Sequence, residues 1–168
     1  MKTVIVTGGS RGIGAAIVKE LAKEGFNIVL NYNNSEDAAK QIQKELEAQG
    51  IKIEIFKADV SKREEVKELV KFTLDKFKNI EVLINNAGIA QEKAFMDITD
   101  EDWNKMMQIN LNSVFYCTQE VLKNMIHNKK GCIINIISLY EKIFGNSCRH
   151  CRFNCCFSIA IERISYLG

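Results

Sequence analysis

The residues most suited to chemistry open the chain: Thr7-Gly8-Gly9-Ser10-Arg11-Gly12-Ile13-Gly14. Glycine lets a backbone turn tightly and come close to an anion. A helix starting at such a turn aims unpaired N–H groups and the positive end of its dipole at that anion. A pyrophosphate is the matching ligand. A lone glycine motif is weak, and an ordinary tight turn is the alternative. This one lies between a strand and a helix, the context that gives it meaning. Asp59-Val60, Asn85-Asn86-Ala87-Gly88 and Ser138 follow at further element boundaries, and Asn110 in the middle of a helix.

The elements that must position these residues alternate between strand and helix. Lys2–Thr7 predicts strand one. Apolar residues at 13, 16, 17 and 21 predict a helix over Ile13–Glu24, stopped by Gly25. Asn27–Asn31 reads as strand two, Ser35–Gln49 as a helix and Ile51–Lys57 as strand three. Ser61-Lys62-Arg63-Glu64 has the form of a capping box for the next helix, and Ile80–Ile84 reads as strand four. Thr99 offers an N-cap for one long helix, with Trp103, Met106, Met107, Val114, Phe115, Val121, Leu122 and Met125 mostly on its buried face. Cys132–Ile137 predicts strand five.

Alternating strands and helices imply parallel pairing through right-handed crossovers. Near-continuous apolar strands imply helices on both sheet faces. The chain has 168 residues, 46% hydrophobic and 26% charged, which suits a soluble globular domain. The formal net charge is +2, with acids and bases interleaved. That argues against a nucleic-acid or membrane-surface partner. No apolar run approaches the roughly 20 residues of a membrane span, and residues 1–7 do not read as a signal peptide. A cytoplasmic location is expected. Five of the six cysteines follow residue 130, which marks a change of composition and not a disulfide framework.

Taken together, these motifs resemble the short-chain dehydrogenase/reductase family. The glycine turn has its Thr-Gly-x-x-x-Gly-x-Gly spacing. Asn85-Asn86-Ala87-Gly88, Asp59-Val60 and Asn110 match the family's motifs in order, and the resemblance covers residues 1–138. It implies an α/β Rossmann-type fold: a doubly wound parallel sheet of strand order 3-2-1-4-5 in three α/β/α layers, lacking the family's last strands. Residues 1–138 would be the dinucleotide-binding domain. Gly8, Ser10, Arg11, Gly12, Ile13, Gly14, Asn31, Asp59, Val60, Asn86, Ala87 and Gly88 would bind the cofactor. Asn110 and Ser138 would belong to the catalytic set, and no metal is implied. The pattern is most similar to the family's 3-oxoacyl-carrier-protein reductases. That implies a small-molecule or acyl-carrier-linked carbonyl substrate and, commonly, a homo-oligomer.

An acid at the end of strand two favours NAD by binding its ribose hydroxyls. Here no acid follows until Glu36, and Arg11 supplies a cation in the glycine turn. NADP (NADPH) is the expected cofactor. The family's tyrosine, with a lysine four residues on, has no match. Glu36 follows Tyr32 at that spacing, Glu120 follows Tyr116 and Phe144 follows Tyr140. The expectation is therefore an NADP-dependent carbonyl reductase by family, with a catalytically inactive dinucleotide-binding remnant as the alternative.

Residues 139–168 form an atypical Cys-rich tail. It reads as the product of a shifted reading frame or a disrupted gene, and it leaves strand five as a bare edge. Cys148, His150, Cys151, Cys155 and Cys156 could ligate zinc. Alternatively Phe153, Cys156, Phe157, Ala160, Ile161 and Ile164 fall at helical spacing.

Overall fold

The computed structural model describes residues 2–90, 93–138 and 157–165. Its elements are β1 (Thr3–Val6), α1 (Gly12–Lys23), β2 (Asn27–Tyr32), α2 (Glu36–Glu47), β3 (Ile53–Lys57), α3 (Arg63–Phe77), β4 (Val82–Asn85), α4 (Asp100–Met107), α5 (Ser113–His127), β5 (Lys130–Ser138) and β6 (Phe157–Ser165). The sheet order is β3-β2-β1-β4-β5-β6. The first five strands pair in parallel, in the order the sequence implied.

Alternation along β1 builds the two outer layers. Val4 and Val6 pack with Val18 and Ala22 of α1 and Ala39, Ile42 and Leu46 of α2. Ile5 faces the other way, into Val66, Leu69 and Val70 of α3 and Cys117, Val121 and Met125 of α5. Side chains on a strand point alternately to opposite faces, so β1 serves both cores. Gly25, at φ 74°, ends α1, with its N–H on Ala22 O and that of Phe26 on Leu21 O.

Four local expectations are corrected. The segment predicted as one long helix is α4 and α5 joined by a π-helical turn over Gln108–Asn112. A π turn inserts one residue, which rotates the following face by about 100°. Of the residues read as its buried face, Trp103 and Phe115 are 48% and 54% exposed, whereas Val121 and Met125 are buried. The capping box at Ser61–Glu64 does not form. Lys62 is the N-cap, without a side-chain cap bond, and Ser61 Oγ instead donates to Asp59 Oδ1 at 2.6 Å. The Thr99 cap does form, reciprocated by Asp102.

The other two corrections concern the tail. Residues 157–165 are a strand, not a helix, and β6 pairs antiparallel with β5 from Lys130↔Ser165 to Ser138↔Phe157. β5 is therefore not a bare edge. Phe157, Ile159 and Ile161 also alternate with Ser158, Ala160 and Glu162. That period-two pattern competes with the helical one, and the open backbone groups of β5 decide between them. The proposed zinc ligands lie outside the described residues. Among the described residues, no helix is long and apolar enough to cross a membrane.

Candidate functional site

The C-terminal ends of the parallel strands place the glycine turn, the Asp59 loop, the Asn85–Gly88 segment and the π turn side by side. Ligands of open α/β sheets bind at this end, where consecutive crossovers diverge to opposite faces. Here the divergence lies between β1, whose next helix covers one face, and β4.

The glycine turn is shaped by its neighbours. Gly8 and Gly12 have φ of 62° and 52°, the left-handed region that disfavours side chains. A Cβ on Gly14 would lie 2.4 Å from Gly8 O and 2.5 Å from Asn86 Nδ2. Gly14 is therefore the point where α1 passes beneath the turn. Gly9, read as a variable position, is also constrained: a Cβ there would lie 2.9 Å from Leu30 Cγ. The first intrahelical bond runs from Ala15 N–H to Arg11 O, leaving the N–H groups of Gly12, Ile13 and Gly14 ahead of it. Ser10 is buried, Arg11 is exposed at the N-cap and Ile13 is half-exposed at the helix mouth.

Asn31 lies beneath this turn with both amide atoms engaged. Its Oδ1 accepts the Gly8 N–H at 3.3 Å, and its Nδ2 donates to Ala58 O at 3.0 Å. The end of β2 thus presents no acid. Glu36, the next one, is paired with Lys40 at 2.7 Å, and this ammonium holds its carboxyl below the usual range.

Asp59 Oδ1 accepts both the N–H and the Oγ–H of Ser61, at 3.0 and 2.6 Å. The backbone N–H of Asp59 is fixed by Glu65 Oε2 at 2.6 Å, and that bond, with Lys62, lowers the Glu65 carboxyl. Val60 is buried beside them. Glu65 has no motif to flag it, because only the helical return of α3 brings it to residue 59.

Asn86 fastens the β4 end to the glycine turn: its Nδ2 donates to Thr7 O and Gly8 O at 3.0 and 3.1 Å. Thr7 Oγ1 in turn accepts the N–H groups of Asn86 and Ala87, both at 3.0 Å. Thr7 opened the motif, but its place as a β1–β4 clasp is visible only in the fold. Asn85 is buried and donates to Asn135 on β5 at 2.8 Å. Gly88 faces Asn110, whose Oδ1 would be 3.3 Å from a Cβ there. Asn110 reaches the next residue with both amide atoms, at Ile89 N and Ile89 O. Ser138 is the last residue of β5, and its side chain lies outside the described residues, as does Tyr140.

A family model described as short chain dehydrogenase matches residues 2–147. The chain belongs to the short-chain dehydrogenase family. Similar family members include a 3-oxoacyl-[acyl-carrier-protein] reductase of Staphylococcus epidermidis, 39% identical over 138 residues. One of Staphylococcus aureus is 36% identical over 145 residues, and one of Synechocystis sp. is 43% identical over 138. These alignments cover 82%, 86% and 82% of this chain but only 57%, 58% and 56% of the relatives. The chain spans little more than half the length of the family members it matches. Among solved structures, a doubly substituted variant of a Serratia marcescens short-chain dehydrogenase/reductase matches with a TM-score of 0.71 at 35% identity. It is matched over 73% of this chain and 50% of that one.

Proposed function

We propose that this chain binds NADP(H) across the C-terminal ends of its strands. There it would serve hydride transfer between that cofactor and a carbonyl substrate of the 3-oxoacyl type, small or carried on an acyl carrier. The observation that carries this reading is the assembled glycine turn. Gly14 fits under Gly8 with no room for a Cβ, Asn86 holds the turn from the β4 side, and the first N–H groups of α1 open above it. The pyrophosphate belongs over Gly12–Gly14, the adenine beside Asp59 and Val60, and the nicotinamide end towards Asn86, Ala87, Gly88 and Asn110. The preference for the 2′-phosphate rests on exposed Arg11 and on the end of β2, which presents no acid to repel that group. When bound, the nicotinamide supplies the hydride. Ser138 would donate to the substrate oxygen. The substrate class comes from the names of the relatives, and the cytoplasm is the location we assign.

A second reading, binding without turnover, is favoured by one specific observation. The oxygen of a reduced carbonyl needs a proton, and no lysine stands four residues after Tyr32, Tyr116 or Tyr140. Fluorescence titration with NADPH and NADH, followed by an assay of NADPH oxidation with 3-oxo esters and aldehydes, tests both. NADPH is expected to bind at least tenfold more tightly than NADH, with Arg11→Ala erasing most of that difference. Equal affinity would sink the NADP assignment. Turnover abolished by Ser138→Ala would dismiss the second reading, and binding with no turnover on any substrate would establish it.

A further inference from the structure

Four side-chain carboxamides join the loops at the strand ends into one closed circuit. Asn31 links the end of β1 to that of β3, through Gly8 N and Ala58 O. Asn86 links the end of β1 to the segment after β4, through Thr7 O and Gly8 O. Asn110 links that segment to the π turn, through Ile89. Gln108 closes the circuit: its Nε2 donates to Ser61 O at 2.6 Å, in the loop after β3. Its Oε1 accepts from Asn112 Nδ2 at 2.7 Å, so the π turn itself orients the amide that reaches out of it.

We propose that Gln108 is a positioning residue for the dinucleotide site. It holds the Asp59–Ser61 loop and the turn that carries Asn110 in one fixed relation, so that both ends of the ligand meet an assembled surface. The inference rests on the dinucleotide reading above. A loop ordered before binding does not have to be ordered by the ligand, and that difference is read as affinity. Carboxamides also carry no charge. The circuit therefore keeps its strength across pH and salt, unlike the Lys93–Asp102 ion pair at the start of α4. The π turn fits this role, since π turns re-aim side chains that a regular helix would send elsewhere. From this one turn Gln108 and Asn110, two residues apart, reach the loops after β3 and β4.

Gln108→Met keeps length and bulk and removes both hydrogen bonds. Amide hydrogen exchange on the full unliganded chain is expected to quicken on the order of fivefold at Ile89, which Gln108 does not touch, and not at Ile5 in the sheet. NADPH affinity is expected to fall on the order of fivefold, as for one lost hydrogen bond. Reciprocally, Asn110→Ala should quicken exchange at Lys62 N–H, which donates to Asp59 O across the circuit. The double variant should bind NADPH little worse than either single one. Unchanged exchange at Ile89 would overturn the proposal, as would a uniform rise that includes Ile5 or fully additive losses. If Gln108→Met does not fold, the Lys62 exchange of Asn110→Ala decides, and no change there overturns it. If the wild-type chain binds no NADPH while the exchange arms respond, the cofactor reading falls and the circuit stands.

Discussion

Asn110 holds the backbone of Ile89 from both sides, accepting its N–H and donating to its carbonyl, each at 2.9 Å. A carboxamide offers a donor and an acceptor in this paired geometry without having to gain or lose a proton. The π turn that bears Asn110 is thereby fixed to the turn after Gly88. Asn110→Asp removes the donor and sets a carboxylate against Ile89 O. It should lower stability by about 1–2 kcal/mol in urea unfolding, more than Asn110→Ala, because it leaves an unpaired charge beside a carbonyl. An Asp variant as stable as the wild type would show that the pair contributes little.

Gly12 and Gly14 lie two residues apart, yet their substitution should have different consequences. A Cβ at Gly14 would strike backbone at 2.4 Å, so Gly14→Ala must displace Gly8 or Asn86. We expect a loss of about 2–3 kcal/mol in stability and of measurable NADPH binding. A Cβ at Gly12 meets nothing within 4 Å and suffers only from φ 52°. Gly12→Ala should cost about 1 kcal/mol. Chemical denaturation of the two variants side by side would test this order.

Asp102 receives Lys93, the Thr99 N–H and the Thr99 hydroxyl on one carboxylate oxygen. The Lys93 ammonium first, and then the Thr99 backbone N–H, hold its pKa down to about 2 from 3.8. A depressed carboxyl stabilises the fold above its unfolded pKa. The contribution of this clasp is therefore complete at neutral pH and is lost as pH falls from about 4 towards 2. Carboxyl titration by NMR should find the low midpoint, and Lys93→Ala should raise it towards the ordinary range. A midpoint near 4 in the wild type would contradict the clasp.

Lys78 ends α3 at φ 67°, a conformation that disfavours any side chain. Its N–H caps Leu74 O and its Nζ reaches Asp75 O at 2.9 Å. The exposed Nζ contact is worth less than the strain. Lys78→Gly should therefore raise stability by about 0.5–1 kcal/mol in a thermal or urea melt. A fall in stability would mean that the Asp75 contact outweighs the backbone.

The Cys117 thiol is buried against α3, and burial pushes its pKa up to about 12. The thiolate is the reactive form, so native Cys117 should resist alkylation at pH 8 and react only on unfolding. Mass mapping after iodoacetamide treatment would test this. Rapid native labelling of Cys117 would show that the α3–α5 core opens.

The sequence by itself determined the alternation of strands and helices and the parallel pairing, and the strand order came with the family resemblance of its motifs. Alternating apolar runs and the glycine stop at Gly25 are local signals, fixed by backbone freedom and by burial on a known period. It also determined which motifs would meet at the strand ends, because a parallel sheet carries every such loop to one edge. Tertiary structure decided the rest. Ser61 donates to Asp59 in place of capping, Glu65 joins the site from the first turn of α3, and Gln108 does so through a partner 47 residues away. The π turn over Gln108–Asn112 divides what reads as one helix into α4 and α5, and no periodic pattern can register a phase shift it does not contain. Residues 157–165 carry both periods, and β5 selected the strand because its unpaired backbone groups needed a partner.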